Sequence, residues 1–130
     1  MNSYLTFAAL NCFMAVGCGA LGAHKLRDVL DSNAMHAFEV STHYQLTHGL
    51  ALIAMALCLQ LWQQQKLFYW AANFFAFGLL LFCGSLYILS LTELRKIGPL
   101  PIGIVTPIGG VLFLLGWLTV IAASFNLAKH

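Results

Sequence analysis

The sequence predicts an all-α polytopic membrane protein, an antiparallel four-helix transmembrane bundle with an interfacial extension before the second helix. Four apolar runs, Leu5–Ala23, Leu46–Trp62, Phe68–Leu91 and Ile102–Leu127, fill most of the 130 residues. Each meets or approaches the roughly 20 residues that a helix needs to cross a hydrocarbon core about 30 Å thick. Hydrophobic residues make up 61% of the chain and charged ones 8%, against about 45–50% and about 25% in soluble domains, so a soluble fold would have no face for water. Almost all of the six basic and four acidic side chains lie between the runs. Four crossings leave too little chain for a separate soluble domain. One domain over 1–130 is therefore expected, with spans at about 5–23, 34–64, 68–91 and 102–127.

The partner that this composition requires is the lipid bilayer. A scattered net charge of +2, with no basic run interleaved with aromatics, excludes a nucleic-acid surface. Cys12, Cys18, Cys58 and Cys83 fall inside apolar runs without a Cys-x-x-Cys pair, which argues against a disulfide scaffold or zinc site and for small apolar side chains. Met1–Tyr4 holds no Lys or Arg and three more apolar runs follow, so the first run is expected to be a retained helix and not a cleaved signal.

In the first span Ala8, Cys12, Ala15, Gly19 and Ala23 form a small-residue stripe of the kind that lets helix backbones approach closely in lipid. Asn11 is expected to bridge helices. Asp31-Ser32-Asn33 offers N-cap residues for a second helix starting near Ala34, with no proline before Gln64. Its first part, Ala34–Tyr44, mixes apolar residues with His36, Glu39 and His43 and reads as the interfacial segment, with a bend near His48-Gly49. Trp62–Lys66, followed by Phe68, Tyr69 and Trp70, marks a bilayer edge. Gly98-Pro99-Leu100-Pro101 makes a stiff connection. In the fourth span Thr106, Pro107, Gly109 and Gly110 are the candidates for a helix kink, because Pro107 removes a backbone hydrogen bond.

Lys25, Arg27, Arg95 and Lys96 flank the first and third connections, and only Lys66 and Lys129 lie at the other side. The positive-inside rule then places the loops near 24–33 and 92–101 in the cytoplasm and both termini outside.

No phosphate loop, HExxH helix or Gly-x-Ser-x-Gly elbow is present, and no catalytic residue, cofactor or metal is assigned. The chemistry-capable residues gather between His24 and His48. His36, Glu39 and His43 share a stripe that a transition metal could accept, a spacing that polar interfacial helices also produce by chance. His48 is the sharper candidate, because an ionisable residue in a span is costly and faces protein or a cavity. Unpartnered polar groups in hydrocarbon cost several kcal/mol, so His24, Tyr44, Gln45 and His48 are expected to form one hydrogen-bonded cluster on the loop side of the bundle.

Gly19–His24, Tyr44–His48, Gly84-Ser85-Leu86-Tyr87, Thr106–Gly110 and Gly116-Trp117 resemble the YgdD-like family of small bacterial inner-membrane proteins of unknown function, which has relatives among small transmembrane proteins of animals. The likeness covers nearly the whole chain; Leu21 stands where members usually carry Phe, and His36 and Glu39 lie outside the pattern. It implies a four-helix fold in the inner membrane and supplies no reaction or substrate. Three function classes remain. The first is a non-catalytic scaffold or assembly partner, working as a homo-oligomer or with another membrane protein. The second is a small oligomeric transporter or channel with His48 and the Pro107 kink lining a path. The third, weaker, is a haem- or metal-binding protein, for which two histidines on different helices at matching depth are needed.

Overall fold

The computed structural model describes residues 2–129, and these form four long helices, each long and apolar enough to cross a membrane. Helix α1 spans Asn2–His24 and a single 3₁₀ turn, Leu26–Asp28, follows it. Helix α2, Ser32–Leu61, runs unbroken for 30 residues, about 45 Å at 1.5 Å per residue. It passes His48-Gly49 without interruption. Its N-cap is Asp31, whose carboxylate accepts a 2.8 Å hydrogen bond from the Ala34 N–H, so the helix starts two residues before the expected Ala34. It ends at Leu61 and not near Gln64, because Trp62 leaves helical geometry and its carbonyl accepts from the Gln65 N–H at 3.0 Å. That tight turn launches α3, Lys66–Leu91.

One turn of α3, Leu79–Cys83, is a π-helix, a local one-residue expansion that apolar periodicity does not reveal. The stiff connection after α3 is a minimal antiparallel hairpin, with Lys96–Ile97 (β1) paired to Leu100–Pro101 (β2). Gly98 turns it at φ +60, a left-handed conformation that glycine adopts without strain. Helix α4, Ile102–Leu127, then returns across the bundle.

Helix α1 packs on α2, and α3 packs on both α2 and α4. The apolar core lies where α3 meets its neighbours, with Leu52, Phe75, Leu79 and Phe113 all nearly or fully buried. In α1 the buried face is Ala8, Asn11, Ala15 and Gly22. The expected stripe holds at Ala8 and Ala15, but Gly19 and Ala23 are exposed. A helix of 3.6 residues per turn drifts off steps of four, so Gly22 carries the contact instead, against the Phe38 ring. On the facing helix Gly49 is the close point: a Cβ there would lie 2.7 Å from Cys12 Sγ and 3.5 Å from the Ala8 carbonyl oxygen.

Candidate functional site

Helix α2 directs a polar stripe into the bundle. Ser41, Gln45 and His48, at spacings of four and three, are all buried and therefore share one helix side. Each bonds across to a different place. The Ser41 hydroxyl donates to the Cys83 carbonyl, 3.0 Å away at the end of the π turn. The Gln45 amide donates to Asn11 Oδ1 on α1 at 3.1 Å, and its oxygen accepts from the Tyr87 hydroxyl on α3. His48 reaches α4, where its Nε2 accepts from Trp117 Nε1 at 3.1 Å. One stripe thereby ties α2 to all three other helices.

Indole N–H is a donor only. His48 Nε2 must therefore present a lone pair, so the ring proton sits on Nδ1, within 3.1 Å of the Tyr44 carbonyl and 3.2 Å from Thr47 Oγ1. The imidazole is a neutral Nδ1–H tautomer with both nitrogens engaged. Its plane lies on Phe113, with centroids 3.8 Å apart and planes 20° apart. Phe75 and Trp117 stand edge-on at 5.8 Å and 5.9 Å. These ring contacts, with the bonds at both nitrogens, hold the imidazole's orientation.

The sequence-based candidates thus divide into separate groups. His48 and Gln45 face protein, as burial requires, but three residues apart on a helix puts them about 60° apart around its axis, enough to aim them at different neighbours. Tyr44 is 39% exposed; it contributes its carbonyl and a ring stacked on His48 at 5.5 Å. His24 is exposed at the end of α1 and shares no hydrogen bond or ring contact with His48. The expected single cluster is therefore corrected: two groups form, around Gln45 and around His48, and His24 belongs to neither. His36, Glu39 and His43 are all exposed, and no three His, Cys, Asp or Glu side chains among the described residues come together as metal ligands.

Asn11 bridges helices as its position suggested, backed by a second bond from its amide to the Phe7 carbonyl at 2.9 Å. Ser41, Tyr87 and Trp117 were missed as partners. The spacing Ser41, Gln45, His48 could have found the first, but only packing pairs the stripe with Tyr87 and Trp117.

The kink candidates form a seam with α3. Thr106 Oγ1 lies 2.6 Å from Ser85 Oγ. A Cβ at Gly109 would lie 2.3 Å from the Phe82 backbone nitrogen and 2.7 Å from its Cα, so the π turn and the glycine fit together. Gly110 has only the Phe82 ring nearby at 3.8 Å. Pro107 is exposed and α4 continues through it.

Four apolar helices tied by a neutral, internally satisfied polar stripe define a small polytopic membrane protein. No side-chain nitrogen or oxygen among the described buried residues lacks a partner. The chain belongs to the family described as "Protein of unknown function (DUF423)", whose model matches residues 18–110. A UPF0382 membrane protein of Staphylococcus epidermidis is 41% identical over 98% of this chain and 99% of its own length. One from Staphylococcus saprophyticus is 40% identical over 98% and 100%. The UPF0382 inner membrane protein YgdD of Escherichia coli K12 is 37% identical over 96% and 91%. No solved structure matches.

Proposed function

We propose that the protein is a non-catalytic scaffold or assembly partner of the membrane, whose buried polar stripe sets helix packing and leaves apolar outer faces for lipid, a second copy or another membrane protein. The observation that supports this most is the state of His48. Both ring nitrogens are held by protein groups, the ring is clamped between aromatics, and the other buried polar residues are Asn, Gln and Ser. A proton relay needs an imidazole free to exchange partners, and axial haem ligation needs an available Nε2 lone pair. Neither is offered here, and Pro107 lies on an exposed side of α4.

The test is reconstitution into proteoliposomes with flux measured across protons, metal ions and small solutes. A scaffold gives none. Flux that disappears in His48→Gln while the fold persists would overturn the reading in favour of a transporter.

The same reading orients the bundle. Val29–Asp31 line one cleft with Thr92, Glu93 and Arg95, and Trp62–Gln65 lines another with Asn126 and Lys129. Each pair of connections or ends shares one end of the bundle, and the excess of Lys and Arg at the first assigns it to the cytoplasm.

A further inference from the structure

Beyond the scaffold reading, a small cleft of about 110 Å³ opens between the end of α1 and the start of α2. It is lined by Gly22 and the buried Phe38 together with Arg27, Glu39 and Thr42. Arg27 and Glu39 are exposed and carry opposite charges, yet no ion pair joins them among the described residues. The Thr42 hydroxyl donates to the Glu39 backbone carbonyl at 2.9 Å, which leaves its oxygen lone pairs able to accept.

A simple anion drawn to Arg27 would be repelled by Glu39, and a simple cation the reverse. A ligand carrying both charges satisfies the two together. The cleft also lies at the membrane boundary, where the apolar run of α1 gives way to the charged loop. Helix side chains lean toward the N-terminus, which brings the Glu39 carboxylate toward that loop. Along the exposed flank of α1 next to the cleft, a Cβ built at Gly17 or Gly19 meets nothing within 4 Å, so there is room for a hydrocarbon chain.

We propose that this cleft seats the headgroup of a zwitterionic phospholipid bearing a primary ammonium, a phosphatidylethanolamine, with its phosphate on Arg27 and its ammonium on Glu39 and Thr42. The chemistry separates it from phosphatidylcholine: an –NH₃⁺ group offers three donors, whereas a trimethylammonium offers none. Glu39 reads the ammonium and Arg27 holds the phosphate common to both lipids.

The experiment uses the full chain in nanodiscs of phosphatidylethanolamine and phosphatidylcholine in equal amounts, released gently and analysed for retained lipid by native mass spectrometry. Retained phosphatidylethanolamine should exceed phosphatidylcholine several-fold. Glu39→Gln should return the ratio to that of the bulk, and Arg27→Gln should lower retention of both. Lys25→Gln, outside the cleft, should change neither. Circular dichroism of each variant confirms the fold. Equal retention of the two lipids, an unchanged ratio in Glu39→Gln, or preference for phosphatidylglycerol in a parallel mixture would overturn the proposal. Displacement of the lipid by soluble phosphoethanolamine would assign the cleft to a free metabolite and equally overturn it.

Discussion

Trp117 on α4 donates its indole hydrogen to the Nε2 of His48 on α2, 3.1 Å away across 69 positions of sequence. This one bond determines the tautomer of the only buried histidine among the described residues and joins the helix that carries the polar stripe to the last helix of the bundle. Interhelical hydrogen bonds in membranes average about 0.6 kcal/mol and reach about 1.7. The aromatic stacking around His48 puts this pair toward the upper end.

Trp117→Phe keeps most of the ring but strands Nε2. Thermal unfolding in detergent should show a loss of about 1 kcal/mol, in the range for an unsatisfied buried acceptor. His48→Leu should lose about as much or more, whereas His48→Gln should retain most of the stability, since an amide can replace one of the two bonds. A double-mutant cycle over His48 and Trp117 with no coupling would show that the bond contributes nothing.

Gln45 is the joint of the other network, and Gln45→Leu orphans two partners at once. Asn11 Oδ1 and the Tyr87 hydroxyl both lose their bond to it. Destabilisation of about 1–3 kcal/mol is expected, larger than for Tyr87→Phe, which leaves Gln45 still bonded to Asn11. The reverse order in denaturation midpoints would place the network's weight on the tyrosine.

Gly109→Ala sets a Cβ against the Phe82 backbone, which cannot rotate away. Overpacking of this kind costs about 1–3 kcal/mol, and separation of α3 from α4 at the π turn should make Gly109→Leu worse still. Gly110→Ala, one residue on, meets only ordinary ring contact and should be neutral or slightly stabilising through helix propensity. Equal behaviour of the two alanine variants in unfolding experiments would remove the close-approach role.

Topology is read by cysteine labelling. In the proposed orientation, Gln64→Cys and Ala128→Cys react with an impermeant thiol reagent added to intact cells, and the wild type supplies the background from Cys12, Cys18, Cys58 and Cys83, none of which is exposed. Reaction only after lysis would invert the bundle.

The number of spans and their approximate positions were legible because hydrocarbon imposes a length and a polarity on each crossing, and both are written in consecutive residues. The end of α2 was three residues off for a local reason, the Trp62–Gln65 turn, and the π turn was invisible because it changes hydrogen-bond register without changing composition. Gly109 illustrates the same limit. Two residues after Pro107 it looked like part of a kink, and the structure assigns it a backbone contact with a different helix.

By itself, the sequence determined that this chain is a four-helix membrane protein and that His48 and Gln45 must be buried with partners, since an unpartnered imidazole or amide in lipid is too costly to persist. Which partners they take was decided only by tertiary structure. Spacing along one helix gives the angle at which each side chain leaves it, but the rotation and depth of neighbouring helices follow from side-chain packing: Gly49 against Cys12, Gly109 against Phe82, Phe113 against His48. Those contacts bring Asn11, Tyr87 and Trp117 to the stripe, and they leave His24 outside.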